Sequence, residues 1–140
     1  MKESLRLSGF LGKAPRVVPE GGATLCGEHI PAGTVVSCSA YAYHHNPDYF
    51  GANHAVFDPD RWLGNNERVF DRYWFPFGRG SRDCIGQNLG LAMLYLIFAS
   101  IFTRFKFDLC ETSEDNVEWH DAMMTIKSRG HLKVRVKVTT

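Results

Sequence analysis

The chain has 140 residues, of which 44% are hydrophobic and 22% charged, and its formal net charge at pH 7 is +1. This length and composition suit one folded domain with a modest core and exclude an intrinsically disordered chain. The near-neutral charge gives no electrostatic reason to expect a nucleic-acid partner or an anionic membrane surface.

The first part of the chain predicts a helix end followed by strands. Residues 1–8 have the pattern of the last turns of a helix. Pro15 then begins an extended segment, and two further runs, ATLC and TVVSCS, predict short strands. The link IPAG has Pro31 in the second turn position and Gly33 in the fourth, which favours a type I turn.

A short helix is predicted for AYAYHH, residues 40–45, and a long irregular segment spans residues 46–66. Loops of this length are usually functional or disordered, but the aromatic residues in this one predict an ordered, packed meander. Trp62 and Trp74 are expected to pack in it. The nearby histidines fit no compact metal site, so packing or surface roles are expected for them.

The second half predicts one long helix and a terminal hairpin. The helix spans residues 86–103, and its 14-residue apolar run is shorter than the roughly 20 residues that cross a bilayer, which indicates a buried core helix. Residues 132–138 alternate strictly between apolar and basic side chains and predict a half-buried strand. The segment MMTIK, residues 123–127, is its predicted hairpin partner across the turn SRGH.

The four cysteines lie at Cys26, Cys38, Cys84 and Cys110. None belongs to a C-x-x-C pair, which argues against a zinc or thioredoxin-like site, and four are too few for a disulfide scaffold. We therefore expect free thiols in a reducing environment. All but Cys84 lie in or beside predicted strands and are expected to be core thiols.

Cys84 lies in the stretch FPFGRGSRDCIG, residues 75–86, directly before the predicted long helix. Gly78 and Gly80 permit backbone angles closed to other residues and let a flat ligand or a sulfur approach the main chain. A thiolate at a helix N-terminus is stabilised by free N–H donors, and the two neighbouring arginines add positive charge. Such a sulfur can act as a nucleophile, a redox sensor or a metal ligand.

The residues alone leave these three roles open. A nucleophile requires a general base, and no local sequence places a histidine beside Cys84. A phosphate-binding loop does not fit, because Asp83 stands where the third glycine belongs and no G-K-[ST] is present. A buried structural thiol is the ordinary role of a free cysteine. The glycines and arginines around this one argue against that role.

The same stretch fits the pattern F-x-x-G-x-R-x-C-x-G at its five fixed positions, Phe77, Gly80, Arg82, Cys84 and Gly86. This pattern resembles the haem-binding loop of the cytochrome P-450 monooxygenases. Three other segments agree in order. ESLR resembles the E-x-x-R helix motif of that family, HHNP resembles a segment that follows it, and FDPDRW resembles the motif whose arginine joins the E-x-x-R pair.

The resemblance implies a mainly α fold with small β-sheets (α+β). Its parts would be the end of the E-x-x-R helix, β-hairpins, the meander, the haem-thiolate loop, a long proximal helix and a C-terminal β-hairpin. It also implies that Glu3, Arg6 and Arg61 form a buried ion network, with Glu3 and Arg6 on one helix face. Removing one member of such a network leaves a buried charge unpaired. The network would lock the core and the meander that supports the haem loop.

The resemblance further implies that Cys84 is the axial thiolate ligand of the iron of haem b, where a thiolate favours cleavage of the O–O bond. Arg82 and Arg16 would pair with the haem propionates, because a guanidinium fork suits a carboxylate. The phenylalanine would pack beside the sulfur, and the two glycines would give clearance. The implied cofactor-binding residues are Phe77, Gly80, Arg82, Cys84, Gly86 and Arg16.

A complete member of the family is several times longer, and no A-G-x-[DE]-T oxygen-activation motif is found in this sequence. Residues 1–140 are therefore expected to form only the proximal, haem-binding part of the domain, without its N-terminal half and without catalytic residues of its own. We expect the chain alone to bind haem weakly and to have little activity.

The implied function is that of a haem-thiolate monooxygenase, an oxidoreductase that acts on paired donors. It would insert one atom of O2 into a small organic substrate with electrons from a reductase. A non-catalytic truncated remnant that acts as a binding module is the alternative, and a reactive-cysteine protein without haem is a third hypothesis. Members of this kind usually lie on the endoplasmic reticulum membrane, so that location is implied as well.

Overall fold

A computed structural model of the chain describes residues 1–8, 14–64, 67–113, 118–122 and 125–139. Within these ranges the chain forms several short helices, one long helix and two-stranded antiparallel sheets. This mixed architecture of helices and small sheets agrees with the predicted fold class.

The predicted helix end is α1, Lys2–Leu7, and the predicted short helix is α2, Ala40–His44. The α2 helix begins after Ser39, whose hydroxyl accepts a hydrogen bond from the Ala42 amide at 3.2 Å. Serine is a favoured residue at this position because it pairs an amide that has no partner inside the helix. The α1 and α2 helices pack against each other.

The meander is built from two short helical turns rather than from loop alone. These are α3, Pro47–Phe50, and a 3-10 helix, Pro59–Trp62. Each has proline in its first turn, where its missing N–H costs nothing, and each is capped by the side chain of the preceding residue, Asn46 or Asp58. Residues 65–66 of the predicted segment lie outside the described ranges.

The part of the sequence between α1 and α2 forms two small sheets. They pair β1 (Arg16–Val17) with β4 (Val35–Val36), and β2 (Ala23–Leu25) with β3 (Glu28–Ile30). The sequence predictions missed β3. Its hairpin with β2 closes through Cys26 and Gly27, whose φ angles of 52° and 88° are both positive, as a two-residue hairpin turn of matching twist requires.

The predicted position of the IPAG turn is wrong by one residue. The amide of Thr34 donates to the carbonyl of Pro31 at 3.3 Å, so Pro31 is the first turn residue and Gly33 the third. Gly33 has φ +80°, which the third position of a type II turn requires. The β1–β4 ladder sets this position, because Gly33 and Thr34 both hydrogen-bond to Val18.

The second half contains two more helices and four more strands. They are α4 (Glu67–Asp71), α5 (Gln87–Arg104), β5 (Phe105–Leu109), β6 (Glu118–Ala122), β7 (Thr125–Arg129) and β8 (Val134–Val138). The long helix is thus where the sequence predicts it. The predicted terminal hairpin is wrong: β8 pairs with β5, and β7, which includes part of MMTIK, pairs with β6. Residues 123–124 lie outside the described ranges.

The error arises because the prediction pairs β8 with the strand just before it in the sequence, whereas its partner β5 lies farther away in the chain. The alternation in β8 is equally suited to either partner, and β5 offers apolar Phe105, Phe107 and Leu109 at matching positions. The ladder extends past the strand ends, since the Cys110 amide donates to Lys133 O at 2.9 Å. The β6–β7 hairpin is therefore inserted between two strands that pair with each other.

The predicted burial of α5 and β8 is also wrong. No residue of α5 is buried, and all five residues of β8 are exposed. The reason is that, in the described part of the chain, only β5 has substantial contacts with α5.

No described helix is long and apolar enough to cross a membrane.

The core lies between α1, α2 and the meander, and much of it is polar. The largest fully buried side chains in the described part are Arg6, Phe50, His44 and Glu3. The prediction that three cysteines are core thiols is wrong: Cys26 and Cys38 are exposed and Cys110 is partly exposed. Cys26 is directed outward because it occupies a tight hairpin turn. Trp62 is buried and lies with its ring centroid 6.0 Å from that of Trp74, as packing in the meander predicts.

Candidate functional site

A buried ion network lies at the base of the site. Arg6 donates to both carboxylate oxygens of Glu3, from Nε to Oε2 at 2.9 Å and from Nη2 to Oε1 at 2.7 Å. Arg61 approaches the same carboxylate, with Nε 3.5 Å from Oε1. The structure thus brings together the three residues that the sequence predicts as a network, and all three are buried.

Two further groups, which the sequence predictions missed, complete the environment of Glu3. Trp62 Nε1 donates to Oε2 at 2.8 Å, and the Asp58 amide donates to Oε1 at 3.2 Å. Burial by itself raises the pKa of Glu3, but the hydrogen bonds from Arg6, Trp62 and Asp58 outweigh it and lower the pKa. Glu3 is therefore a carboxylate with donors on both oxygens.

The two arginines fasten the backbone of the meander. Arg6 Nη1 donates to the carbonyls of His44 and His54 at 2.7 and 2.6 Å. Arg61 Nη1 donates to the carbonyl of Phe50 at 2.6 Å. His44 ends α2, Phe50 ends α3 and His54 lies in a turn, and the last carbonyls of a helix have no partner inside it. The guanidinium groups therefore fix the course of a segment with little regular structure.

His44 connects the ion network to the Cys84 loop, residues 75–86, through a hydrogen bond. Its side chain is buried, and its Nε2 accepts a hydrogen bond from the Phe75 amide at 3.0 Å. Burial, with smaller contributions from the charges of Arg6 and His45, lowers the pKa of His44 to about 4. The ring is therefore neutral near pH 7 and able to accept this hydrogen bond.

The Cys84 loop folds back on itself through glycine turns. Gly78 and Gly80 have φ angles of 81° and 88°, which glycine adopts without steric cost. The Gly78 amide donates to Phe75 O at 3.0 Å, and the Cys84 amide donates to Phe77 O at 2.8 Å. These bonds hold Phe77 beside Cys84, whose side chain is exposed.

The α5 helix begins directly behind the sulfur. The Gln87 amide donates to Cys84 O at 3.1 Å. A Cβ at Gly86 would lie 3.8 Å from Cys84 Sγ, and a Cβ at Gly90 would lie 3.8 Å from Phe77 Cε1. A methyl group at either position would therefore make only ordinary van der Waals contact with the sulfur or the phenyl ring.

A cavity of about 500 Å³ borders the loop. Among the described residues, three arginines, Arg16, Arg72 and Arg79, line it together with apolar residues such as Val36 and Phe75, and none of the described lining residues is acidic. Such a cavity suits a flat apolar molecule that carries carboxylates. Of the six predicted cofactor-binding residues, only Arg16 is among the described residues that line this cavity. Arg82, predicted for the same role as Arg16, is exposed in the loop, and Cys84 lies outside the cavity lining.

In the described part of the chain, no group of three or more His, Cys, Asp or Glu side chains is arranged to hold a metal ion. A site that relies on protein ligands alone is therefore not found there. A single exposed thiol at a helix N-terminus suits instead a metal whose other ligands come from a cofactor. The sequence predictions identified Cys84 and its glycines and noted Arg79 for its positive charge, but they did not include Arg72.

The family model of the cytochrome P-450 proteins matches residues 1–134. The chain belongs to the cytochrome P-450 family. This match covers the network, the meander, the Cys84 loop and α5, so the predicted family is confirmed. Cytochrome P-450 proteins generally bind haem, and the donor chemistry of the Cys84 loop fits that cofactor.

Cytochrome P-450 relatives match nearly the whole chain. Monooxygenase penB of Penicillium thymicola is 39% identical over 97% of this chain and 30% of its own length. Monooxygenase asqL of Emericella nidulans is 37% identical over 97% of this chain and 28% of its own length. A protein named inactive monooxygenase cloA, of Claviceps fusiformis, is 39% identical over 90% of this chain. The chain spans 25% to 30% of the length of such relatives.

Proposed function

We propose that the chain provides the thiolate-ligand side of a haem monooxygenase and that Cys84 is the axial ligand of the haem iron. The observation that carries this proposal is the geometry of the Cys84 loop. Its glycine turns and the Cys84–Phe77 hydrogen bond hold an exposed sulfur at the N-terminus of α5. An exposed cysteine sulfur held in this way can reach the iron of a cofactor that approaches the loop from outside.

The other residues of the site would bind and orient the cofactor. Phe77 would pack beside the sulfur, and Gly80 and Gly86 would leave the space that a flat ring needs. Arg16 and Arg82 would pair with the two propionates. The position of Arg16 in the lining of the cavity beside the loop supports its role, and the exposure of Arg82 leaves its side chain accessible.

Haem, when bound through a thiolate, supplies the oxygen-activating chemistry, and the protein supplies orientation and electrostatics. We infer that the complete activity inserts one atom of O2 into a small organic substrate, with electrons from a reductase. The names of the relatives as monooxygenases support this reaction class. A location on the endoplasmic reticulum membrane is proposed from the family resemblance alone.

The test is the reduced carbon monoxide difference spectrum of the purified chain titrated with haem. We expect a thiolate-type Soret band of low intensity in the wild type, and its loss in Cys84→Ser. Cys38→Ser is the matched control, because Cys38 is also an exposed thiol and lines the cavity beside Arg16. A band that survives Cys84→Ser, or that disappears in Cys38→Ser, would refute Cys84 as the ligand.

A second candidate is a non-catalytic protein that acts as a binding module. Two observations favour it: α5 has no buried residue, and one relative is named inactive. In this case the chain would show no Cys84-dependent Soret band at any haem concentration. The same titration therefore decides between the two candidates, and a strong band would also contradict the expectation of weak haem binding.

A further inference from the structure

His44 is the link between the buried ion network and the Cys84 loop. Its main-chain carbonyl accepts a hydrogen bond from Arg6 Nη1 at 2.7 Å, and its ring Nε2 accepts one from the Phe75 amide at 3.0 Å. Only 1% of the residue is exposed. The rings of Phe50 and Phe75 meet it edge-on, with centroids 6.0 and 5.2 Å away. The imidazole is thus held in one orientation.

Two further hydrogen bonds connect Phe75, which His44 contacts, to the backbone of Cys84. Phe75 is the first residue of the Cys84 loop, and its carbonyl accepts from the Gly78 amide at 3.0 Å. Within the turn that follows, the Phe77 carbonyl accepts from the Cys84 amide at 2.8 Å. The position of Phe75 therefore sets where the turn begins, and the turn sets where Cys84 lies.

The bond to Phe75 requires a particular form of the imidazole. An amide can donate only to an unprotonated ring nitrogen, so Nε2 must be bare and the proton of the neutral ring must be on Nδ1. The charged or titratable groups that face the ring are Arg6 from α1 and the neighbouring His45, and both disfavour an additional positive charge. Burial acts in the same direction.

We propose that His44 is a positioning residue for Cys84: its neutral imidazole fixes the first residue of the loop and thereby the place of the sulfur. Protonation of the ring turns Nε2 into a donor that faces another donor, which breaks the bond to Phe75. The inference rests on the proposed function, in which Cys84 ligates haem iron. It adds that the ligand loop is released under acidic conditions, because the link is lost when His44 gains a proton.

Amide hydrogen exchange measured by NMR on the haem-free chain tests the link directly. In the wild type, the Phe75 and Cys84 amides are expected to be protected at pH 7 and to lose protection together as the pH falls to about 4. His44→Gln retains a neutral acceptor near Nε2, so protection should persist at pH 7 and its pH dependence should disappear. His44→Leu should raise both exchange rates roughly ten- to a hundredfold at pH 7, the cost of an unpaired amide.

His45→Gln is the matched control, because His45 hydrogen-bonds within α2, to Tyr41 O at 2.9 Å, and not to the loop. It should leave the protection of the Phe75 amide at pH 7 unchanged. Loss of protection at low pH that persists in His44→Gln would mean general unfolding and would overturn the proposal. Exchange that increases at Phe75 but not at Cys84 in His44→Leu would overturn the coupling between them.

The haem titration separates this inference from the proposed function. If both hold, the Cys84-dependent Soret band is retained in His44→Gln and weakened several-fold in His44→Leu. If Cys84→Ser leaves the spectrum unchanged, the proposed function is refuted. The exchange data then still decide whether His44 positions the loop, since they need no haem. A band of wild-type intensity in His44→Leu would refute the positioning role.

Discussion

The substitution Glu3→Gln tests how much the buried ion network contributes to stability. It keeps the shape of the side chain but replaces one carboxylate oxygen with an NH2 group. Oε2 accepts from Arg6 Nε and Trp62 Nε1, whereas Oε1 accepts from Arg6 Nη2 and the Asp58 amide. Either orientation of the new amide therefore places a donor against two donors, and at least two hydrogen bonds are lost.

The expected cost follows from this geometry. Each buried donor left unpaired costs roughly 1–3 kcal/mol, and the two buried guanidinium groups of Arg6 and Arg61 also lose their shared counter-charge. Breaking a buried pair in this way costs about 3–5 kcal/mol in other proteins. A domain has only roughly 5–15 kcal/mol of stability, so a large share would be lost.

Urea unfolding followed by circular dichroism measures the effect. For an m-value of roughly 2 kcal/mol per molar urea, the midpoint should fall by about 2 M. Asp108→Asn is the matched control, because it makes the same chemical change in the pair with Lys137, whose side chains are 52% and 61% exposed. We expect little change there. A midpoint shift for Glu3→Gln no larger than that of Asp108→Asn would refute the reasoning.

Three further predictions follow from the local geometry. Because the pKa of His44 is lowered from 6.5 to about 4, its contribution to stability is complete above pH 6.5 and is lost as the pH falls to 4. Unfolding experiments should therefore show roughly 3 kcal/mol more loss of stability over this range in the wild type than in His44→Gln. Gly90→Ala should increase the free energy of unfolding by up to about 1 kcal/mol, because alanine favours helix and its Cβ would lie at an ordinary contact distance of 3.8 Å from Phe77 Cε1. The urea midpoint should therefore rise, and a lower midpoint would contradict this. Gly78→Ala should instead cost roughly 1–2 kcal/mol, since its φ of 81° strains any residue with a Cβ, and an unchanged midpoint would show that the turn adapts.

The parts of the candidate site that could be predicted from the sequence are those whose residues lie close together in the chain. The fixed positions from Phe77 to Gly86 predict a glycine-rich loop with a cysteine before a helix, and the structure has a loop with an exposed cysteine and a helix at these positions. The spacing of Glu3 and Arg6 places them on one helix face, and they form an ion pair at 2.7 Å. In each case the interacting groups are near neighbours in the chain, so local geometry determines their relation.

Long-range pairings could not be predicted in this way. The alternating pattern of β8 defines a strand but does not define its partner, and the pairing with β5 depends on contacts across a sequence separation of about thirty residues. Burial is likewise a property of what packs against an element. The apolar residues of α5 predict a core helix, but the described part of the chain leaves them exposed.

The sequence by itself determined the family, the position of the Cys84 loop, the long helix and the Glu3–Arg6 pair of α1, because each depends on residues close together in the chain. Only the tertiary structure decided that the amide of Phe75 meets the ring of His44, thirty-one positions away. It also decided that Trp62 and the Asp58 amide complete the environment of Glu3. A hydrogen bond between distant residues depends on the folded course of the chain, and no local pattern specifies it.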